Sequence, residues 1–584
     1  MSRMKCVVFK CMMVIGILSF LLSCRTVIRP EQFSIQKTAD ILFKNGIIIT
    51  MEDDVKLAEF VAVKDGKIVA LGSSEDEYEW LSDSTRIVDL NGKILLPGFI
   101  DAHSHFAIAM RMIAQANISS PPVSNVNNIN DILSNLKVHA NIYKIKRGDW
   151  IMAWGYDPDL IDEKRHPTKF DLDELFPENP VFLLHVSAHM AVVNSQALAL
   201  ANITNDTPDP DGGIIVRVSD SDEPNGLLQE TAMYGIITLL PKPTPEQSFI
   251  LLKETVKFYA AHGITTAQDG RTDFEVFQFL SAAAQKEKLS IDLNCLANIE
   301  QAKTFLECAS CAFNVPKNGV NLSGFKLVGD GSPQGKTAYF TKSYVTQVPG
   351  CIQNCKGFSN VSQERINDLV RMSYKNNIQL YSHANGDASI DMLLEAHQEA
   401  IDSLNIETHD MRTVVIHSQF VRPDQLDAYA EYNFIPSFFT NHAFYWGDVH
   451  LKNLGKERAS FLSPLKSAID KNITFTNHTD YIVTPLDQMF LLWSAVNRKS
   501  RNGNVIGPTE QVSPWEGLKA ITINAAYQHK QENIKGSIKI GKLADFVILD
   551  KNPLDINPEE IRNIKVLQTV KEGNIIYDIS DSRN

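Results

Sequence analysis

The 584-residue chain has little of what marks several common protein classes. It carries only eight cysteines, and Cys308 with Cys311 is the single Cys-x-x-Cys pair, which argues against a structural zinc site. The chain has 56 Lys and Arg residues and 69 Asp and Glu residues, which gives a formal net charge of −13. This acidic balance gives no indication of the basic surface that binds nucleic acid. Fixed-period repeats and low-complexity tracts are missing too, which excludes a repeat architecture. An apolar content of 44% is ample for the core of a soluble enzyme.

A long membrane-spanning run is also missing, and the apolar stretch at the amino terminus, Met12 to Leu22, is shorter than the roughly 20 residues of a transmembrane helix. It follows Arg3 and Lys5 and ends in Leu-Leu-Ser-Cys24, the order found in secretory signals. Leu-x-Ser-Cys is similar to the bacterial lipobox, in which Cys24 would become the lipidated first residue. We expect export to the bacterial cell envelope and a lipid anchor in a membrane. An ordinary signal peptide and an uncleaved anchor stay open as alternatives.

Two histidines follow an apolar, strand-like run. The residues from Ile94 to Ile100 lead into Asp-Ala-His103-Ser-His105. Side chains at i and i+2 of a strand point the same way, so both imidazoles can hold one ion, and imidazole suits zinc and similar divalent metals. Alone, such a pair is more often a coincidence in a loop, so further ligands have to come from distant parts of the chain.

Four later strand-like segments each place a metal-ligating or modifiable side chain at or near the strand's carboxyl end. In chain order these are Lys326, His383, His417 and Asp480. A buried lysine is costly unless it is paired or neutralised. Each residue taken singly is commonly a core or loop residue. The ordered set of His-x-His, Lys, His, His and Asp is hard to obtain by chance.

With this set the chain resembles the amidohydrolase superfamily of metal-dependent hydrolases, and within it the family 3 branch that includes N-substituted formamide deformylases. The similarity covers roughly residues 40 to 578. Besides the ligands, the family pattern is matched by Trp154-Gly-Tyr-Asp157, His166-Pro-Thr with Asp171-Leu-Asp173, Ala188-His189-Met-Ala-Val-Val-Asn194, Asn225-Gly-Leu-Leu-Gln-Glu230, Asp330-Gly-Ser332 and Gly536 to Asp545.

The resemblance implies an α/β fold built on a (β/α)8 TIM-like barrel, with two divalent ions, expected to be zinc, at the carboxyl ends of its strands. The implied ligands are His103, His105 and Asp480 for the first ion and His383 and His417 for the second. Lys326, carboxylated on its amine by carbon dioxide, would bridge the two ions. A lysine that snorkels or pairs with Asp330, and a site with one ion, stay open as alternatives.

The implied chemistry is hydrolysis of a carbon–nitrogen bond. Two divalent ions lower the pKa of a shared water and polarise a carbonyl. Asp480 would be the catalytic proton shuttle between that water and the leaving amine. A deaminase of this superfamily usually carries His-x-x-Glu after the fifth strand, whereas His383 is followed by Ala, Asn and Gly. That departure argues against deamination.

The resemblance, together with strand-like sequence patterns at both ends of the chain, predicts how the chain divides into domains. The amino-terminal and carboxyl-terminal strands are expected to form one small β-sandwich, and a large insertion follows the first barrel strand. The predicted ranges are 1–24 for the signal peptide and lipidated cysteine, 25–39 for a tether, 40–96 and 529–578 for the sandwich, and 97–528 for the barrel with its insertion at about 110–260.

The insertion is expected to lie over the catalytic face, where it can exclude water. Trp154 and His189 are candidates for substrate contacts, and a structural role is at least as open for each. His442 follows a barrel-like strand, and for it the pocket and packing are equally open.

Five cysteines remain after Cys24. In an exported protein Cys308 with Cys311, or Cys351 with Cys355, can form disulfides, or one pair can cross to the other. An odd count leaves one thiol free.

Rival functions stay open at this point. A lactone, cyclic amide or phosphoester would suit the same dinuclear site, and specificity lies in loops that the sequence does not place. A non-catalytic binding lipoprotein is the rival from another class, although clustered histidines and charges without metal would be costly. The expected partner is a small amide-type substrate. A homodimer is also left open.

Overall fold

The computed structural model describes residues 37–121, 123–186, 190–210, 213–348, 351–406 and 411–581. The predicted signal segment with Cys24, nearly all of the predicted tether, and His189 lie outside the described residues. Across the described ranges, we find no helix with the length and apolar character needed to span a membrane.

The strands of the described chain are β1 Ile41–Ile49, β2 Leu57–Lys64, β3 Lys67–Gly72, β4 Arg86–Asp89, β5 Ile94–Pro97, β6 Phe99–Ile100, β7 Ala116–Asn117, β8 Ile151–Tyr156, β9 Val181–His185, β10 Met190–Val193, β11 Gly213–Arg217, β12 Pro224–Glu230, β13 Ile264–Thr272, β14 Asp292–Asn298, β15 Val320–Val328, β16 Leu380–Ala384, β17 Val414–His417, β18 Ile435–Phe438, β19 Thr476–Asn477, β20 Phe546–Leu549, β21 Val566–Lys571 and β22 Asn574–Asp578.

The α-helices are α1 Phe106–Met112, α2 Ile129–Ile142, α3 Lys169–Asp173, α4 Ser195–Leu200, α5 Tyr234–Ile237, α6 Pro245–Ala261, α7 Phe274–Lys286, α8 Ala302–Glu307, α9 Gln363–Lys375, α10 Asp387–Leu404, α11 Pro423–Tyr432, α12 Asn441–Leu454, α13 Lys456–Ser460, α14 Leu465–Asp470, α15 Gln488–Asn497, α16 Pro514–Ala520 and α17 Ile523–Gln528.

The central sheet consists of parallel strands in chain order. In the described chain it has eight members, in the order β6, β13, β14, β15, β16, β17, β18 and β19. Most of their residues are buried, as expected for parallel strands covered on both faces. The predicted α/β fold with eight parallel strands is confirmed. Because the strands run the same way, their carboxyl ends lie along one edge of the sheet.

The first and last strands of this sheet are joined just beyond their carboxyl ends. The backbone N–H of His105 donates to Tyr481 O at 2.7 Å, and that of Asp480 donates to His103 O at 3.1 Å. The Asp101 carboxylate accepts hydrogen bonds from the Thr479 backbone N–H (3.2 Å) and hydroxyl (2.7 Å). These contacts hold the segment that follows β6 against the segment that follows β19.

The two ends of the chain share a second sheet. Its strand order is β22-β21-β20-β5-β1-β2-β3, with β4 beside β1, and the antiparallel pair of β5 and β20 links the two ends. The turn between β2 and β3 has Asp65 at φ 49° and Gly66 at φ 73°, the positive values that a tight hairpin turn needs. This turn joins β2 and β3 as an antiparallel hairpin. The division into a two-layered sandwich, with its boundaries, stays a prediction.

A third sheet lies between β6 and β13 along the chain. Its order is β11-β12-β10-β9-β8-β7, parallel for β7 to β9 and antiparallel from β9 to β12. The sheet packs on α2 through a buried apolar cluster that includes Ile132, Leu136 and Ile151. The strand β8 carries Trp154 and runs directly into Asp157.

The cysteines pair locally. Disulfides join Cys308 to Cys311 and Cys351 to Cys355. Cys295 is a free, buried thiol in β14. Of the pairings left open by the sequence, the structure shows the two short-range ones.

Candidate metal centre

The six predicted ligands lie at or beyond the carboxyl ends of strands in the central sheet. His103 and His105 follow β6, Lys326 lies in β15, His383 in β16, His417 ends β17 and Asp480 follows β19. Since these ends share one edge of the sheet, residues as far apart in sequence as His103 and Asp480 meet in space. This is the edge at which such folds keep their chemistry.

His103, His105 and Asp480 form a cluster that can hold a metal ion. The Asp480 Oδ1 atom lies 3.7 Å from His103 Nε2 and 3.4 Å from His105 Nε2. One potential ligand atom from each of the three residues lies within 4.8 Å of the others. The expectation that the two histidines of the His-x-His pair point the same way agrees with these distances.

Hydrogen bonding leaves the Nε2 atom of His103 available as a ligand. The opposite ring atom, Nδ1, lies 2.5 Å from Gln268 Oε1 on β13. An amide oxygen only accepts hydrogen bonds, so Nδ1 carries the proton and Nε2 carries the lone pair. Orientation of a ligating imidazole by such an outer partner is typical of metal sites.

A glycine makes room for this ring. A Cβ atom at Gly270 would lie 2.3 Å from His103 Cε1, closer than two carbon atoms can approach. The close approach of β13 to the histidine therefore requires glycine at this position.

Asp480 is the strongest sign that the cluster fits a metal. Its Oδ1 atom is buried and has no hydrogen-bond donor among the described residues. An unpaired buried carboxylate oxygen is costly, whereas a cation beside it would satisfy it. Burial alone would raise the pKa of Asp480, but the His105 imidazole, 3.4 Å from the Oδ1 atom, and the charges of nearby residues lower it to about 2. The carboxylate is therefore ionised at neutral pH, as a metal ligand has to be.

Lys326 lies next to the first pair of histidines. Its Nζ atom is 3.2 Å from His103 Nε2, and the residue is 3% exposed. Burial lowers the pKa of Lys326 to about 7, although Asp480 acts in the opposite direction. The Asp330 carboxylate, considered above as its partner, instead accepts the backbone N–H groups of Tyr339, Asn385 and Gly386 at 2.8 to 3.0 Å.

His383 and His417 form a second imidazole pair. The Nε2 atom of His417 lies 3.1 Å from His383 Nδ1, and its Nδ1 atom lies 3.1 Å from His478 Nε2. His478 Nδ1 lies 2.9 Å from the Ser437 hydroxyl. Burial lowers the pKa of His383 to about 3 and holds the pKa of His417 well below its usual range. Both rings are therefore neutral, the form in which imidazole binds a metal.

The backbone is strained where two of these ligands sit. His417, Ser418 and Asp480 have φ values of 70°, 42° and 50°, in the left-handed region that favours glycine. Such conformations cost roughly 1–3 kcal/mol each and cluster at functional sites. The hydrogen bond from Asp480 N to His103 O helps to hold one of them in place.

The three predicted substrate contacts have different outcomes. Trp154 is buried on β8 and lines a pocket with Tyr481, the residue after Asp480. His442 is buried in α12, where its Nδ1 lies 3.0 Å from His450 Nε2 and its ring packs on Trp446. The geometry thus places His442 in packing contacts. His189 lies outside the described residues.

Sequence reasoning missed the residues that hold the ligands. Gln268 lies on a strand distant in sequence from His103, and a single buried glutamine carries no distinguishing signal. His478 was available, because it lies two residues before Asp480 at the end of the same strand. The alternation used for His103 and His105 would have singled it out.

Comparisons with known proteins decide the family. The sequence model of the Amidohydrolase family matches residues 86–577. The chain belongs to this family. This chain is 26% identical over 548 residues to N-substituted formamide deformylase of Arthrobacter pascens, and the match covers 93% of this chain and 99% of that protein. It is 29% identical over 551 residues to Protein LONG AFTER FAR-RED 3 of Arabidopsis thaliana, with 92% of each covered.

A solved structure shares the fold. An uncharacterized metal-dependent hydrolase from Pyrococcus furiosus superposes with a TM-score of 0.69 at 23% identity, and the match covers 88% of this chain and 100% of that one. The resemblance predicted from the motifs is confirmed. The chain is a hydrolase of the amidohydrolase family.

Proposed function

We propose that this amidohydrolase cleaves a carbon–nitrogen bond of the amide or N-formyl type. The cluster of His103, His105 and Asp480 carries the proposal, because its buried carboxylate oxygen lacks a hydrogen-bond donor among the described residues and His103 presents the lone pair of its Nε2 atom. The near full-length match to a formamide deformylase supports this type of bond. The absence of His-x-x-Glu at His383 supports hydrolysis of an amide over deamination.

We assign two divalent ions, zinc by the chemistry of the donors, to this site. His103, His105 and Asp480 would hold the first, and His383 and His417 the second. When bound, such ions make water a stronger acid and polarise a carbonyl. The protein's part is to orient these ligands in their metal-binding protonation states, which Gln268 does for His103.

Lys326 would supply the bridging oxygen ligand after carboxylation. The neutral amine adds to carbon dioxide, a nitrogen–carbon bond forms, and one proton leaves to give a carbamate anion. A pKa lowered by burial to about 7 supports this step, since a large share of the amine is then neutral. The carbamate also removes the cost of burying an ammonium group.

Asp480 would move the proton during hydrolysis. Its ionised carboxylate can accept a proton from the attacking water as the new carbon–oxygen bond forms. It can return that proton to nitrogen as the carbon–nitrogen bond breaks, so that the amine leaves neutral. The lack of a protein donor to Oδ1 among the described residues supports this role.

A matched set of substrates tests the bond type. The purified protein, supplied with zinc, would be assayed on N-(2-phenylethyl)formamide and N-(2-phenylethyl)acetamide beside a lactone and an aryl phosphate. We expect equal amounts of amine and acid from at least one amide, with kcat/KM roughly 100-fold higher than for the other bond types. Faster turnover of the lactone or phosphate would overturn the assignment. Bound zinc with no turnover of any compound would favour a non-catalytic binding protein.

We also propose export and lipid attachment at Cys24. The order of charge, apolar core and Leu-x-Ser-Cys supports it. Two disulfides in the described chain support an oxidising compartment. Mass spectrometry of the amino-terminal peptide from cells would show a diacylglyceryl group on Cys24, and an unmodified, uncleaved terminus would contradict the proposal.

A further inference from the structure

A pocket adjoins the segment that carries Asp480. Tyr481 packs edge-on against Trp154 with ring centroids 6.5 Å apart, and both line the pocket. The other walls come from the segment after β7, from α12 and from the loop after α15. The lining residues used below are Ser120, Asp157, Tyr445, Trp446 and Arg501. The pocket volume is about 40 Å³, enough for a small polar group, since one water needs roughly 10–15 Å³.

Three hydrogen-bond donors of this lining are buried without a partner among the described residues. They are the hydroxyl groups of Ser120 and Tyr445 and the Nε–H of Arg501. They come from three distant segments of the chain. Buried donors are rarely left unpaired, and three in one pocket indicate that the missing acceptor is a ligand. All three can donate to oxygen.

The guanidinium group of Arg501 lies near both hydroxyl residues. Its Nη1 atom donates to Pro121 O, next to Ser120, at 3.0 Å, and its central carbon lies 4.9 Å from the Tyr445 ring centroid. Burial lowers the pKa of Arg501, but an arginine remains charged at neutral pH. Burial also raises the pKa of Tyr445, so its hydroxyl stays a donor. The lining of this pocket therefore holds one positive charge, on Arg501, and two hydroxyl donors, on Ser120 and Tyr445.

A carboxylate completes this arrangement better than other anions. Its two oxygens can accept all three hydrogen bonds, and a monoanion adds less negative charge beside Asp157 than a dianion does. A phosphate dianion would leave excess negative charge near Asp157, which lines the same pocket. The Asp157 carboxylate accepts the Asp159 N–H at 2.9 Å and has capacity for a further N–H from a ligand. Trp154 and Trp446 offer apolar surface beside it.

We infer that Ser120, Tyr445 and Arg501 form a carboxylate-binding subsite, and that the preferred substrates are amides that carry a carboxylate group. The substrate part of this inference rests on the proposed hydrolysis. The subsite itself does not, because its geometry is independent of the chemistry at Asp480. The two parts can therefore be tested separately.

Binding tests the subsite in the absence of catalysis. The metal-free protein would be titrated with 3-phenylpropionate and with 3-phenylpropionamide, which differ mainly in the charge of one group. Working without metal prevents the acid from binding an ion. We expect the acid to bind roughly 10- to 100-fold more tightly, the range for hydrogen bonds to a charged group. Equal binding of the two compounds would overturn the subsite.

Variants show which residues cause the tighter binding of 3-phenylpropionate. Arg501→Met should abolish it, and Tyr445→Phe, which keeps the ring, should lower it roughly tenfold. Lys499→Met is the matched control, because it removes a positive charge two residues away that pairs with Glu559. The preference should survive that change. A preference that persists in both Arg501→Met and Tyr445→Phe would contradict the inference.

Hydrolysis then tests the substrate class. N-formylphenylalanine differs from N-(2-phenylethyl)formamide by its carboxylate, and we expect the acid to have a roughly 10- to 100-fold higher kcat/KM, expressed mainly in KM. Tight binding of 3-phenylpropionate with neither formamide cleaved would retain the subsite and refute the proposed function. Equal cleavage of both, with no preference in binding, would refute the subsite and retain the function.

Discussion

Replacing Asp480 by Asn is expected to lower kcat for N-formyl amine hydrolysis by roughly 10²- to 10⁴-fold. The amide cannot accept a proton from water, and it is a weaker ligand than a carboxylate. Asn tolerates the left-handed backbone that Asp480 adopts at φ 50°, so the fold should be retained. The loss would be measured as kcat at saturating substrate and zinc, beside the midpoint of thermal unfolding.

An exposed aspartate provides the matched control for this change. Asp470 pairs with Lys466 on the surface of α14. Asp470→Asn should leave kcat unchanged and alter the free energy of unfolding by no more than about 0.5 kcal/mol. If Asp480→Asn kept the activity of the native protein, the assignment of Asp480 as proton shuttle would be wrong.

Replacing Lys326 by Met is expected to remove about half of the bound metal and to lower kcat roughly 100-fold or more, since even residues that only support a ligand change metal affinity or activity 10- to 100-fold. Met has a similar length and carries no charge. It therefore fills the space of the lysine without opening a cavity, and the metal-free variant should unfold at about the same temperature as the metal-free native protein. Metal would be counted by atomic emission and activity measured in the same samples.

The dependence of activity on carbon dioxide distinguishes a carboxylated Lys326 from an unmodified amine. Metal-free native protein should regain activity with zinc and bicarbonate, and regain far less with zinc in carbon dioxide-free buffer. Lys326→Met should show no response to bicarbonate. The exposed Lys303, changed to Met, serves as a control and should respond like the native protein. Equal recovery with and without bicarbonate in the native protein would exclude the carbamate.

The clustering of the six proposed ligands was predictable from the sequence because each occupies a position that strand geometry defines. His103 and His105 share one side of the chain through their i, i+2 spacing, and His417 directly ends a β-branched run. Parallel strands bring such ends to one edge whatever their separation in sequence. The eight parallel strands were expected from the resemblance to the amidohydrolase superfamily that these residues carry.

The partners of the ligands were not predictable, because their contacts depend on packing in three dimensions. Gln268 reaches His103 from a neighbouring strand, and nothing in its local sequence distinguishes it from other buried glutamines. For His442 the sequence left pocket and packing open, and the sequence could not show its contact with His450, eight residues further along α12. The sheet of the insertion was also missed, since short strands such as β7 carry no clear alternation.

The pocket beside Tyr481 illustrates the same limit. Ser120, Tyr445 and Arg501 come from three segments with no shared motif. Only the structure shows that all three leave a donor unpaired. In the proposed account, specificity depends on such convergences, whereas the reaction type depends on the proposed ligands at strand ends.

The most direct test of the account is an anomalous diffraction map at the zinc absorption edge from crystals grown with zinc and bicarbonate. The account predicts one peak bounded by His103, His105 and Asp480, a second beside His383 and His417, and density for a carboxyl group on Lys326 between them. The absence of any peak at His103, His105 and Asp480 in zinc-saturated crystals would contradict the metal centre, and with it the proposed hydrolysis.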